Sequence, residues 1–470
     1  MDIKALIRIY PFYLRMNLSS LEHVDSQPEN RFSSLVNGQR IAIVPEFTLE
    51  SGYTLRRVPV AYKTWGSLNE SRDNVMVICH ALSGSADVAD WWGPLIGKGK
   101  AFDPTKFFIF CANTLGSPYG TASPVTLNPE TGSIYGPEFP LTTPRDDVRL
   151  HRIVLDSMNV KKVAICIGGS MGGMQALEWS FFGLDYVKTI APIATSARLS
   201  AWCISWNEAQ RQSIYSDHQY CDGYYKADET PDTGLAAARM SALLTYRSRD
   251  SFESRFSRKL QEPKKLQGVN GYKSTPAEKA LLIHNEGHKS KNNEHLRSKR
   301  QGNHIDNNES REENHLTSAI PHTFSAQSYL RYQGDKFVKR FDANCYISLT
   351  RKMDSHDISK GRGSVEDVLR SIKQPTCVFG IESDGLFTIS EQYELAEHIP
   401  ISKMITIASP DGHDGFLLEF DQMNQHILQF IQECLPEISE KEHYGLDAVS
   451  IEVVKDSVFG ELEDKDMIKW

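Results

Sequence analysis

The sequence predicts an α/β fold with a mostly parallel sheet, and three observations predict it. First, apolar, β-branched runs recur at 75–80 (VMVICH), 107–111 (FFIFC), 163–167 (VAICI), 188–193 (KTIAPI), 376–380 (TCVFG) and 404–408 (MITIA). Most are short and bounded by turn residues, as buried parallel strands are. Second, amphipathic segments at 145–158, 390–399 and 421–434 are interleaved with them, and strand–helix alternation is the mark of a parallel sheet. Third, the runs 41–49 and 53–63 alternate in polarity around Ser51-Gly52, which predicts an antiparallel edge hairpin.

Taken in order, residues 1–35 read as a flexible N-terminal extension. Lys4, Arg8 and Arg15 would also suit a weak mitochondrial presequence or a degenerate signal peptide, but Pro11 interrupts the apolar part and no small-residue cleavage site follows. Residues 36–196 form the first part of the α/β core. Its helix at 145–158 places Val148, His151, Ile153, Leu155 and Met158 roughly on one face. The alternation stops near residue 197. Residues 197–364 read as an inserted helical lid, interrupted at 258–322 by a Lys-, Asn-, His- and Glu-rich stretch that buries too little apolar surface to order. Residues 365–435 resume the core, and 436–470 read as a solvated tail.

Composition narrows the function. A chain of 470 residues, 40% hydrophobic and 24% charged, is neither disordered nor a small module. With 52 Lys+Arg against 60 Asp+Glu, its net charge of −8 argues against a nucleic-acid binder. No stretch reaches the roughly 18 to 20 apolar residues that span a bilayer. The eight cysteines form no C-x-x-C pair, and Cys79, Cys111, Cys166 and Cys377 lie in or beside apolar runs. They read as reduced thiols in a cytoplasmic protein. The histidines of the polar insertion, such as His284, His288 and His295, lack the spacing of a metal module, so no metal site is expected.

The chemistry is concentrated at Gly168-Gly169-Ser170-Met171-Gly172, a G-x-S-x-G sequence that joins the strand VAICI to a helix beginning MQALEW. That is the setting of a nucleophile elbow, in which the serine sits on a strained turn and glycines let strand and helix approach. It points to an α/β-hydrolase fold with an inserted helical lid. An elbow serine needs an acid and then a histidine further along the chain. His413 follows MITIA on a loop at a strand's C-terminal end. TCVFGIESDGLF offers Asp384 as the acid, with Glu382 as the second choice. The oxyanion hole calls for the backbone N–H of Met171 and a second donor after the strand 75–80, with Leu82 the candidate. His80 precedes the serine and reads as a loop-shaping side chain. Trp91-Trp92 reads as a stacking platform, a wall of the pocket mouth or plain core.

These residues sit in longer blocks: VICHALSGSADVADWWGPLIG, IGGSMGGMQALEW, ATSARLSAWCISWNEAQRQSIYSD, ARMSALLTYRS, IESDGLF and DGHDGFLLEF. Together they resemble the homoserine O-acetyltransferases, the budding-yeast form in particular, over about residues 36–257 and 323–432. The resemblance implies Ser170 as nucleophile, Asp384 as acid and His413 as base. It also implies Arg239 on the substrate carboxylate, Asp414 on its amino group and Tyr246 in contact with it. A zwitterionic substrate needs one handle of each sign. The implied reaction is a ping-pong transfer from acetyl-CoA, a co-substrate, to L-homoserine, giving O-acetyl-L-homoserine for methionine synthesis. No cofactor is held permanently, and the lid is expected to form a homodimer contact. Alternatives on the same fold are transfer to L-serine, use of succinyl-CoA, or a carboxylesterase.

Overall fold

The computed structural model describes residues 21–260, 276–288 and 323–440. They fall into two compact units, one made of the residues up to Ser251 and from Gln333 onward, the other of Phe252–Tyr332.

The first unit contains nine strands: β1 Glu22–Val24, β2 Arg40–Thr48, β3 Thr54–Trp65, β4 Val75–Cys79, β5 Phe108–Ala112, β6 Val163–Gly169, β7 Val187–Ile193, β8 Thr376–Ile381 and β9 Ser402–Ile407. They form one sheet in the order β1-β2-β3-β5-β4-β6-β7-β8-β9. Every pairing from β5 to β9 is parallel, and β1, β2 and β3 add an antiparallel edge. All residues of β4 and β6 are buried, because helices cover both faces, so their sequences are continuous apolar runs.

The helices begin with α1, Pro144–Ser157. Thr143 caps it in a reciprocal capping box with Asp146, and Pro144 occupies the first turn, where no N–H is needed. Next comes α2, Met171–Ser180, whose ten residues are all buried. Between β7 and β8 the chain leaves the sheet for α3 Ala201–Tyr215, α4 Asp232–Tyr246 and α5 Ala343–Asp354. It returns to β8 through α6 Val365–Ser371; α7 Ile389–His398 joins β8 to β9, and α8 Phe420–Cys434 follows β9.

The structure revises both ends of the expected core. Residues 21–35 are not a flexible extension: β1 pairs with β2, and Phe32 and Ser33 are buried, so the extension could begin only before residue 21, outside the described residues. The expected 197–364 insertion packs in part against the core. Met171 and Met174 of α2 share an apolar cluster with Leu199, Cys203, Leu235, Phe337, Tyr346 and Leu349, so most of the insertion belongs to the same unit as the sheet. The polar stretch 258–322 lies largely outside the described residues. Its described part includes a helix, Pro276–His284, whose Ala, Glu, Lys and Leu residues are strong helix formers. The tail from 441 on is also outside the described residues, whereas Ile438 of Pro436–Ser439 is buried.

The second unit has its own contacts. Phe252, Phe256 and Tyr329 share ring contacts, Leu260 bridges to Phe324, and Arg331 grips Glu286 through two bonds of 2.6 and 2.8 Å.

One buried ion pair ties α5 to the core. Lys352 Nζ donates to both Asp147 oxygens at 2.7 Å and to the Leu115 carbonyl at 2.6 Å, with both side chains fully buried. Asp147 also accepts from Leu115 N–H and the Gln175 amide. Removing one partner of such a pair strands the other charge in a dry site. Lys352→Met is expected to lower stability by about 3–5 kcal/mol in urea unfolding, and adding Asp147→Asn is expected to recover part of that loss.

Candidate active site

Ser170 lies between the last residue of β6 and the first of α2, with φ 58° and ψ −122°. This is a left-handed-side conformation for a residue with a side chain and costs about 1–3 kcal/mol. The surroundings hold it there. Ser170 N–H donates to the Ile193 carbonyl at 2.9 Å, and Thr195 Oγ1 donates to the Ser170 carbonyl at 2.9 Å. The glycines are sterically required. A Cβ on Gly172 would run into the Cys79 carbonyl, and one on Gly168 into the Gly172 carbonyl.

Asp384 and His413 arrive from the ends of β8 and β9. The Leu386 and Phe387 N–H groups donate to Asp384 Oδ1 at 2.8 and 2.9 Å. The other oxygen, Oδ2, accepts from His413 Nδ1 at 2.7 Å. A carboxylate can only accept, so Nδ1 carries the proton and Nε2 is the basic nitrogen. Glu382, the second choice for the acid, is exposed. Ser383 joins the two loops: its hydroxyl donates to the Ser409 carbonyl at 2.6 Å and accepts from Gly412 N–H at 2.9 Å.

The His413 ring stacks on Phe387, with centroids 5.1 Å apart, and meets the edge of Phe416 at 5.5 Å. Phe416 is itself braced by Trp92, which donates its indole N–H to the Phe416 carbonyl at 3.1 Å. Trp91 and Trp92 are both buried, so the pair is core rather than an exposed platform. Burial pulls the His413 pKa down, but the charge and hydrogen bond of Asp384 outweigh it, aided by Asp414 and Glu391. The imidazole ends above its ordinary value.

Ser170 and His413 line one cavity together with Leu82, Tyr246, Asp414, Asn207 and Gln210. His80 explains how the Leu82 loop is held. It is fully buried, its Nδ1 donates to the Ala81 carbonyl at 2.8 Å, and its Nε2 accepts from Thr114 N–H at 3.2 Å. Burial lowers its pKa to about 4, so it stays neutral and both nitrogens are engaged in shaping the loop. Met171 follows Ser170 directly, at the head of α2. The side chain of Met171 is buried in the helical cluster.

Of the residues expected to hold an amino acid, Asp414 and Tyr246 face this cavity, whereas Arg239 does not line it. Arg239 is buried against aromatic rings, its guanidinium 5.5 Å from the Tyr246 centroid and 4.9 Å from that of Phe337. One residue was missed by the sequence reading. Arg247, just beyond α4, pairs with Asp414 at 2.9 Å and with Asp411 at 3.0 Å. Its only sequence signal is its place in LLTYRS, one residue after Tyr246. Among the described residues no three His, Cys, Asp or Glu side chains gather to hold a metal ion, and no helix is long and apolar enough to cross a membrane.

Comparison with known proteins adds to the geometry. A family model for the α/β-hydrolase fold matches residues 74–420. The homoserine O-acetyltransferase of Emericella nidulans is 56% identical, covering 96% of this chain and 98% of its own. That of Saccharomyces cerevisiae is 53% identical, covering 95% and 97%, so the resemblance extends beyond the budding-yeast form. Among solved structures, homoserine O-acetyltransferase from Bacillus anthracis has a TM-score of 0.67 at 21% identity, covering 84% of this chain and 97% of its own. Esterase E22 has a TM-score of 0.65 at 24% identity, covering 84% and 99%. Likeness at that level spans transferases and esterases alike and shows the fold alone, whereas identity above 50% over nearly the whole chain is specific. The chain therefore belongs to the homoserine O-acetyltransferase family, on an α/β-hydrolase fold.

Proposed function

We propose that the protein transfers an acetyl group from acetyl-CoA to the hydroxyl of L-homoserine through an acyl-serine, forming O-acetyl-L-homoserine for methionine biosynthesis. The observation that carries this reading is a single cavity where the strained Ser170 and the Asp384-bound His413 meet side chains suited to an amino acid.

In the first half, His413 Nε2 takes the Ser170 proton as Oγ attacks the thioester carbonyl. The Met171 and Leu82 N–H groups are the proposed donors to the oxyanion. Collapse breaks the carbon–sulfur bond, and the thiol leaves with the proton from His413. In the second half, His413 takes the proton of the homoserine hydroxyl, whose oxygen attacks the acyl-serine. Collapse then returns the proton to Ser170 and frees the ester. Asp384 remains ionised throughout, holding the tautomer and stabilising the imidazolium. Asp414 is the proposed partner of the substrate ammonium. Arg239, the proposed partner of its carboxylate, would have to be reached past the Tyr246 ring.

Incubation with acetyl-CoA, with and without L-homoserine or L-serine, tests the reading through thiol release and product mass. Acetylated homoserine is expected, whereas free acetate formed independently of any amino acid would mean an esterase. Ser170→Ala is expected to abolish thiol release, and full activity in that variant would remove the serine from the mechanism.

The raised pKa of His413 also fixes a pH dependence. The base works only when neutral, so the rate of thiol release should fall with acidification through a midpoint above the ordinary histidine value of about 6.5. Asp384→Asn removes the charge that raises this pKa. It should move the midpoint to lower pH and cut the rate by about 10⁴-fold. An unchanged midpoint would show that Asp384 does not govern His413.

A further inference from the structure

We propose that Arg247 is a positioning residue: it seats the histidine loop on the end of α4 and offsets the negative charge that Asp414 places beside His413. This rests on the reading of His413 as the catalytic base.

The chain leaves α4 at Tyr246, and Arg247 is already extended, with φ −98° and ψ 146°. The guanidinium is buried and spans the two carboxylates that flank the histidine in Asp411-Gly412-His413-Asp414, at 3.0 and 2.9 Å. The backbones are equally close. Gly412 has φ +70°, and a Cβ there would stand 2.6 Å from Ser248 N and 2.9 Å from the Tyr246 carbonyl oxygen. The Ser251 hydroxyl donates to Asp411 at 2.5 Å, and the Ser248 hydroxyl donates to the Pro410 carbonyl. The helix bearing Arg239 and Tyr246 and the loop bearing His413 are therefore fastened at one point, with Arg247 as its charged member.

The charges around His413 explain why a cation is needed there. Asp384 faces it from the loop after β8, Glu391 acts from α7, and Asp414 adjoins it on its own loop. Tyr246 meets it from α4, Phe387 and Phe416 wall it with rings, and Ser170 and Cys203 share its cavity. Asp384 and Asp414 favour the imidazolium, the form that cannot act as base, and Glu391, whose pKa burial raises to about 7, adds to them when ionised. Arg247 sits against Asp414, and the Arg239 guanidinium lies 5.5 Å from the Tyr246 ring centroid.

The test compares Arg247→Met, Arg247→Lys and the double variant Arg247→Met/Asp414→Asn with the native chain. Thiol release from acetyl-CoA is followed across pH in single turnovers without acceptor, and melting temperatures are recorded. Arg247→Met is expected to move the acidic midpoint up by about one pH unit. It is also expected to slow release by ~10–100-fold through misplacement of the imidazole. Arg247→Lys should keep the midpoint near native, since it keeps the charge, while recovering only part of the rate. The double variant should bring the midpoint back down.

A native midpoint in Arg247→Met, with a rate loss that follows the loss of melting temperature, would overturn the proposal. If Arg247→Met does not fold, Arg247→Gln with and without Asp414→Asn gives the same comparison and the same overturning result. Thiol release does not involve the acceptor. A native chain that releases thiol but acetylates no amino acid therefore refutes the proposed acceptor, while the midpoint shift still supports or overturns the role of Arg247.

Discussion

The geometry of the candidate site depends on the backbone of Ser170, whose positive φ must be maintained against its own strain. Three features maintain it. Glycines at 168 and 172 let α2 pass against β6 and the Cys79 carbonyl where no Cβ would fit. Hydrogen bonds to Ile193 and Thr195 satisfy the Ser170 N–H and carbonyl on the β7 side. Burial of all ten residues of α2 then makes that helix too costly to move. The Ser170 turn is thus tightly constrained, and the ends of strands β8 and β9 bring Asp384 and His413 toward it.

The site around that point is a balance of burial against charge. Desolvation alone would leave His413 a weak base, and aromatic contact with Phe387 and Phe416 adds to that desolvation. Asp384 reverses the effect at 2.7 Å, and each pKa unit of reversal corresponds to about 1.4 kcal/mol. Asp384 can stay ionised in a buried site because two backbone N–H groups satisfy its other oxygen. A comparable pairing of buried charges is found away from the candidate site at Asp147 and Lys352.

The strands were legible because a parallel sheet covered on both faces writes itself as apolar runs, and all six predicted runs coincide with β4 to β9. The edge hairpin was legible from alternation and its Ser-Gly turn. Ser170, Asp384 and His413 could be nominated because elbow chemistry fixes their chain order and places them at strand ends. The short strand β1 was not legible, since three residues of EHV carry no period and become a strand only by pairing with β2. Nor was the union of the insertion with the core, because Met171 and Met174 look like ordinary helix residues until Phe337 and Tyr346 pack on them. Arg247 was invisible for a related reason. A surface arginine and a buried one are written alike, and its two partners lie more than 160 residues away.

The remaining question is how one fold could serve both transfer and hydrolysis, since on the proposed mechanism both reactions would share the acyl-serine. Water at tens of molar competes for that ester, and an acceptor wins only if it is held in place. A well-oriented bound hydroxyl can reach an effective concentration of about 10⁵–10⁸ M, so modest binding with good orientation suffices. In the proposed transfer, orientation depends on Asp414, and the orientation of Asp414 depends on Arg247. On the proposed reading the carboxylate lies between the Arg247 guanidinium and the substrate ammonium. An esterase on this fold has no need of such a fixed carboxylate, because water brings no charge to anchor. On the proposed mechanism, the choice of reaction then resides less in the triad, which both activities would require, than in the buried pair beside it.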